Sequence, residues 1–411
     1  MNNQPPAPSA HPRFLKFPGT APEAAFRVTY HAHGDPGVRV VENALFTDQS
    51  TAELHQVFMT GGVFDAAGEY EDASATRRIY SQHRKNALSH WEVRECTPQV
   101  WVDEPVVYLG INIRHYGHFL TESLARAWAL REYPPDRFKF ILHGGQVFDE
   151  IREPYRTLLS ALGLHEGNLI NANAHGCIGV RRLIVPMPSL SLGDEVYAVH
   201  GRPFAQIRAA LSLDVVQTDQ PLWLSRSGLG PGQRLAPGEL ALERELAAHG
   251  VRVMRPEEHT LQENITAILR HGTIMGFHGS ALHSILFAQS PKRLFAFGSL
   301  KLFQHNLNLQ NYLLCDLVAG AQSCYVNSNG HLKHPRQIYS AGVELPDYGY
   351  IGKVLAEAGV IPEHAVRNIR GSELRRDFQR IWLMKYPRPT WLQRVGARLV
   401  RWFFSRRLKV T

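Results

Sequence analysis

The chain has 411 residues, 44% of them hydrophobic, enough for two cores of ordinary domain size. It carries a formal net charge of +8, but seven Lys or Arg and no acid fall between Tyr386 and Thr411, leaving +1 for everything else. A nearly neutral body without a nucleic-acid motif argues against nucleic-acid binding. The lack of an uninterrupted apolar run of about 18 residues argues against a transmembrane span.

Residues 1–25 are rich in Pro and Ala and are expected to be disordered. They contain no apolar core like that of a signal peptide, so a cytoplasmic location is expected. Residues 26–215 are read as a first α/β domain. It begins with strand-like runs such as Val38–Val41 and then sharpens. A strand over Val106–Leu109 is followed by a helix over about Gly117–Arg131, a strand over Phe138–Leu142, a helix over Pro154–Leu162 and a strand over Leu183–Val185. In the Gly117–Arg131 helix, His118, Glu122 and Arg126 fall at i, i+4 and i+8 and share one stripe, while Leu120, Leu124 and Trp128 form an apolar one. A histidine near a helix start can take a proton from a hydroxyl, and Glu122 can orient that imidazole or serve as the base itself. The same residues also fit an ordinary Glu122–Arg126 pair beside a core histidine.

The crossing between domains is placed around Leu211–Gln220, and a second α/β domain over 216–345. Pro221–Leu224 reads as a strand that delivers Arg226, and Arg234 follows across a Gly/Pro loop. Val251–Met254 has strand character. Thr260–Arg270 reads as a helix opened by the capping box Thr260-Leu261-Gln262-Glu263. Thr273–Met275 is a short strand, Gly276-Phe277-His278-Gly279-Ser280 a turn, and Ala281–Ala288 an apolar helix. Such a strand-to-helix turn exposes backbone N–H groups and the positive end of a helix dipole. Gly279 leaves the backbone open, Ser280 and His278 are donors, and Arg226 and Arg234 are permanently charged forks suited to phosphate oxygens. Alone, each has an ordinary explanation as a cap, a core histidine or a solvated arginine. Their order on one βαβα unit favours a diphosphate site.

Residues 346–386 are read as a helical segment and 387–411 as a basic amphipathic tail. There, Trp391, Val395, Leu399 and Trp402 or Phe403 recur at helical spacing, with Arg394, Arg398 and Arg401 on another face. This pattern fits an anionic membrane surface, or equally a terminal helix packed on the body. Cys96, Cys177, Cys315 and Cys324 show neither paired metal spacing nor a disulfide framework and are expected to be reduced. Among 21 histidines no zinc-type cluster occurs, and no two aspartates are separated by one residue, so no metal is expected.

Leu-Ser-Arg ending at Arg226, the later Arg234, an amphipathic helix and then His278-Gly279-Ser280-Ala281-Leu282 before Phe287 resemble the C-terminal signature of glycosyltransferase family 61. That family includes eukaryotic O-linked N-acetylglucosamine transferases, plant xylosyltransferases and bacterial capsule enzymes. His115-Tyr116-Gly117-His118-Phe119-Leu120, followed by Glu122 and Arg126, is similar to a second family motif whose histidine matches His118. The sequence departs from the pattern at His115, often Asn, at Gly117, usually aromatic, and at Ser284, often Asn. Pro237-Gly238-Glu239 replaces an Asn-Glu pair after Arg234.

The resemblance implies a GT-B-like fold, with two Rossmann-like lobes and an interdomain cleft, to which the tail's spacing adds a C-terminal amphipathic helix. It implies an inverting, metal-independent transfer of a sugar from a nucleotide-sugar donor to a glycan or lipid-linked acceptor, in cell-surface polysaccharide synthesis such as that of capsule or lipopolysaccharide. His118 and Glu122 would be catalytic. Arg226, Arg234, His278, Gly279 and Ser280 would hold the donor, and His115, Tyr116 and Arg126 would line the acceptor side. Peripheral attachment at the inner face of the plasma membrane would follow from the tail. Two other readings stand beside this one: a non-catalytic nucleotide-sugar or glycan-binding protein of the same fold, and a phosphoryl-handling hydrolase.

Overall fold

The structure is a computed structural model that describes residues 28–48, 59–80, 83–86, 88–89, 97–144, 148–172, 176–213, 215–230, 235–298, 307–328, 346–362, 364–366, 369, 371–385, 391 and 398. Arg234, the N-terminal residues 1–25 and all of the tail except Trp391 and Arg398 lie outside these. Trp391 is 70% exposed.

Among the described residues the second lobe is built on five parallel strands. In chain order they are Leu222–Leu224, Arg252–Met254, Thr273–Phe277, Arg293–Gly298 and Gln322–Asn327, and their spatial order is 2-1-3-4-5. Alternate residues of these strands pack to opposite sides. Leu222, Leu224, Ile274, Leu294 and Ala296 join a core with the helices Leu261–Arg270, Ser280–Phe287 and Leu307–Ala319. Trp223, Met275, Phe277, Phe295, Phe297, Cys324 and Val326 face the helices Glu239–Ala248 and Tyr348–Glu357, with Leu374 of the helix Gly371–Lys385. Burial on both faces is why these strands are near-continuous apolar runs rather than alternating ones. The arrangement is a doubly wound sheet, whose ligands bind beyond the carboxyl ends of the strands where the order reverses. Here that point lies between Leu222–Leu224 and Thr273–Phe277, the strands that precede Arg226 and His278.

Local signals fix the helix that follows the second strand. Thr260 accepts from the Glu263 amide while the Glu263 carboxylate accepts from Thr260, so the expected capping box is present; such a cap stabilises by about 1 kcal/mol. The apolar segment expected as a helix after Ser280 is a 3₁₀ helix over Ser280–Phe287.

The first lobe departs from the Rossmann-like expectation because its sheet is mixed. Its longest strand, Val38–Asp48, pairs antiparallel with Cys177–Pro186 over registers from Cys177↔Thr47 to Pro186↔Val38, and only then do Val106–Ile111 and Lys139–His143 continue in parallel. Val107, Leu109, Phe140 and Leu142 join the same core as the second lobe, so the two sheets share apolar packing. Phe204 in the helix Arg202–Ala210 meets Phe287 edge-on at 5.1 Å across that junction.

The four cysteines are not all reduced. Cys315 and Cys324 are free and buried, whereas Cys177 is disulfide-bonded, to a partner outside the described residues. Among the described residues no helix is long and apolar enough to cross a membrane.

Candidate active site

A cleft of about 920 Å³ opens at the switch point and is walled by both lobes. Its second-lobe wall begins with the strand end at Leu224. The backbone N–H of Ser225 bonds the Met254 carbonyl at 2.7 Å, holding the chain to the neighbouring strand, and Arg226 then turns toward the cleft. The Nη1 of Arg226 donates to the His278 carbonyl at 2.5 Å. Its guanidinium lies along Gly279, where an added Cβ would stand 3.3 Å from Nε. Arg226 and the glycine corner therefore converge, and Ser280 continues the same wall into the 3₁₀ helix. The His278 ring is buried and packs 4.6 Å from that of Tyr312.

A buried acid holds this turn in place. Glu239 Oε1 accepts from the Arg226 backbone N–H at 3.0 Å, from Ser225 Oγ at 3.3 Å and from Trp223 Nε1 at 3.3 Å. Glu239 closes the Pro237-Gly238-Glu239 segment, and it binds the arginine loop directly. Burial raises its pKa to about 7. Gly238 in turn donates to Asp377 at 2.7 Å, and the Tyr348 hydroxyl donates to the Pro237 carbonyl at 2.7 Å, so the C-terminal helices brace the loop. Glu243 accepts from Ser225 Oγ and from Arg255 Nη2, each at 2.5 Å, and Arg255 Nε reaches Ser227 Oγ at 2.8 Å.

The first-lobe wall comes from His115 to His118, Thr121 and the segment from Glu153 to Thr157. His118 Nδ1 donates to Glu122 Oε2 at 2.6 Å; the imidazole is 31% exposed and the carboxylate 1%. The acid thus sits behind the histidine, whose partly exposed ring lines the cleft. The His115 ring lies 4.9 Å from that of His118.

Arg126 is not in the cleft. It is buried, donates to the carbonyls of Pro186 and Ala75, and lies 5.1 Å over the Tyr108 ring. The physical reason is that the expected regular helix is broken. After the α-turn Tyr116–His118 comes a π-turn over Phe119–Ser123, closed by the Leu124 N–H to Phe119 carbonyl bond, and then a 3₁₀ turn over Ala127–Arg131. One extra residue in a turn rotates everything after it by about 100°, which takes Arg126 off the His118–Glu122 stripe.

The two walls meet at Tyr116 and Gly117. The Tyr116 hydroxyl is hydrogen-bonded to Ser284 Oγ at 2.9 Å, and burial raises its pKa to about 12. A Cβ on Gly117 would lie 2.9 Å from His283 Nδ1 and 3.3 Å from Ser280 Cβ. Gly117 thus abuts His283 and Ser280, and Tyr116 beside it bonds Ser284, across the lobes. His283, which sequence reasoning passed over, packs 4.4 Å from Tyr312. Burial, then the nearby His118, lowers its pKa to about 3, which keeps it neutral. Its signal was present in sequence, five residues beyond His278.

Residues 116–295 match the family model described as Glycosyltransferase 61. The protein is a glycosyltransferase. No curated protein matches the chain. The match runs from the first-lobe wall of the cleft through the glycine corner, so residues of both walls of the cleft lie within it. The match favours a glycosyltransferase over the readings as a non-catalytic binding protein and as a hydrolase. Among the described residues no group of three or more His, Cys, Asp or Glu is arranged to hold a metal ion.

Proposed function

We propose that this glycosyltransferase is inverting and metal-independent, and that it moves a sugar from a nucleotide-sugar donor to a glycan or lipid-linked acceptor in cell-surface polysaccharide synthesis. The observation that carries the reading is the meeting, in one cleft, of an outward-facing histidine backed by a buried carboxylate and a guanidinium laid along a glycine corner. The donor diphosphate binds Arg226 and the N–H groups that open the 3₁₀ helix at Ser280, with the His278–Ser280 turn around it and Arg234 supplying further charge. The acceptor hydroxyl enters past His115 and Tyr155.

His118 removes the acceptor's proton as its oxygen attacks the anomeric carbon. Glu122, bonded to Nδ1, orients the ring and stabilises the imidazolium that forms. The bond from the anomeric carbon to the leaving diphosphate oxygen breaks in the same step, and the developing negative charge falls on the Arg226 side. A single in-line displacement inverts the anomeric configuration. A thermal-shift screen of nucleoside diphosphates and their sugar conjugates, followed by transfer assays with the best donor, tests the reading; no stabilisation by any of them would overturn it.

The proposed location is the cytoplasmic face of the plasma membrane, with the basic tail as its contact. The disulfide at Cys177 counts against that side, since such bonds persist mainly in oxidising compartments. Alkylation of the thiols in intact cells, before and after reduction, decides between them.

A further inference from the structure

The cleft holds a carboxylate that the reaction above leaves unused. Glu257 sits in the 3₁₀ turn Pro256–Glu258, directly after the strand Arg252–Met254, on the outer side of the switch point. Three acids share this corner with one arginine. Arg255 pairs with Glu243 at 2.5 Å and with Glu258 at 3.6 Å, whereas Glu257 forms no ion pair among the described residues and lines the cleft. Its Oε1 reaches the loop that follows Arg226, for a Cβ on Gly228 would lie 2.4 Å from it. Partial burial and the neighbouring Glu258 and Glu243 disfavour its charge, against the pull of Arg255.

A carboxylate repels a diphosphate, so at the edge of a diphosphate site it calls for a neutral, donor-rich part of the same ligand. The part of a nucleotide joined to the diphosphate is the ribose, whose vicinal hydroxyls offer two parallel donors to the two oxygens of one carboxylate. In doubly wound sheets an acid at the end of a nearby strand takes this role; here the strand before Glu257 adjoins the one that delivers Arg226 and lies one strand further from the glycine corner. We infer that Glu257 accepts hydrogen bonds from the 2′- and 3′-hydroxyls of a ribonucleoside diphosphate and makes the donor site selective for ribose. The inference rests on the cleft being the nucleotide site.

The test uses the full chain and calorimetry with ADP, GDP, CDP and UDP and their 2′-deoxy counterparts. The wild type is expected to bind the preferred ribonucleotide about 10-fold more tightly than its deoxy form, the weight of a hydrogen bond to a charged group. Glu257→Ala is expected to lose that ratio by weakening the ribonucleotide while leaving the deoxy form nearly unchanged, with Glu257→Gln intermediate. A ratio that survives in Glu257→Ala, or is absent from the wild type, overturns the inference while the nucleotide site stands. Failure of all eight ligands to bind the wild type overturns the nucleotide site itself, and the inference with it.

Discussion

His118 and Glu122 form a directed pair in which the acid is enclosed and the base is open: Nδ1 stands 2.6 Å from Oε2, with 31% of the imidazole but only 1% of the carboxylate exposed. Nδ1 is occupied as a donor, so Nε2 is the nitrogen free to accept a proton. His118→Ala is expected to lower kcat by roughly 10²- to 10⁴-fold, the range of a general base, with nucleoside diphosphate affinity kept. Glu122→Gln keeps an acceptor for Nδ1 but removes the charge opposite the imidazolium, so a smaller loss in kcat is expected. Single-turnover transfer beside calorimetry separates the two effects, and wild-type turnover in His118→Ala would remove it from the base role.

Arg226 should behave in the opposite way. Its Nη1 is spent on the His278 carbonyl, which holds the guanidinium in place, and its remaining N–H groups are available to the diphosphate. Arg226→Ala is expected to weaken nucleoside diphosphate binding by about 10- to 100-fold, matching a loss of ~1.5–3 kcal/mol in charge-assisted hydrogen bonding. Arg226→Lys should recover little, because one ammonium cannot bond the carbonyl and grip a phosphate as a fork does. Calorimetry with the best-binding nucleotide checks both variants.

The contact between lobes gives a graded pair of variants. Gly117→Ala puts a Cβ 2.9 Å from His283 Nδ1 and 3.3 Å from Ser280, so the first-lobe turn must back away from the donor turn. Overpacking of this kind costs about 1–3 kcal/mol, and a displacement near 1 Å in a reacting pair can cost on the order of 10²-fold in rate. Tyr116→Phe only removes the hydrogen bond to Ser284, worth about 1 kcal/mol. Turnover and melting temperature should therefore fall further in Gly117→Ala than in Tyr116→Phe. The reverse order would mean that the lobes are not set by this contact.

The second lobe was legible because its strands are buried on both faces and its helix Leu261–Arg270 carries a complete cap, signals that are local and written in consecutive residues. Arg226 and the glycine corner could be paired for the same reason, since adjacent parallel strands bring their ends together. The first-lobe helix was less legible. His118 and Glu122 lie within one turn and kept their relation, but Arg126 lies beyond a π-turn, with Phe119, Leu120 and Leu124 buried around it, that no periodicity announces. Glu239 and Glu257 were missed for another reason. Their importance comes from which loops the sheet order brings alongside them, and spatial order 2-1-3-4-5 is invisible to a reading along the chain.

The basic tail gives a prediction independent of the cleft. Seven Lys or Arg and no acid lie between Tyr386 and Thr411. At about 1 kcal/mol for each basic side chain close to an anionic surface, deletion of residues 387–411 is expected to abolish sedimentation with phosphatidylserine-containing vesicles. Wild-type binding should fade as salt rises past the physiological range. Full retention of vesicle binding by the truncated protein would refute the membrane role.

Glu239 ties stability to pH. Its carboxyl is buried, and its pKa is raised from 4.5 to about 7 chiefly by loss of solvent, while the Arg226 N–H and charge pull it down. Among the described residues Oε2 is buried without a hydrogen-bond partner. Between pH 4.5 and 7 the folded chain then holds a proton that the unfolded chain has released. Stability must fall as pH rises through that window and level off above it, a change of at most about 3 kcal/mol. Asp316, raised from 3.8 to about 7 by burial, slopes in the same direction, so the wild type alone cannot assign the effect. Glu239→Gln removes the titration and keeps an acceptor for Arg226 and Ser225. The difference in urea midpoint between wild type and Glu239→Gln should therefore move in the variant's favour from pH 4.5 to 7 and stay constant beyond. A difference independent of pH would mean that the carboxyl is charged throughout, held so by the Arg226 side of the loop.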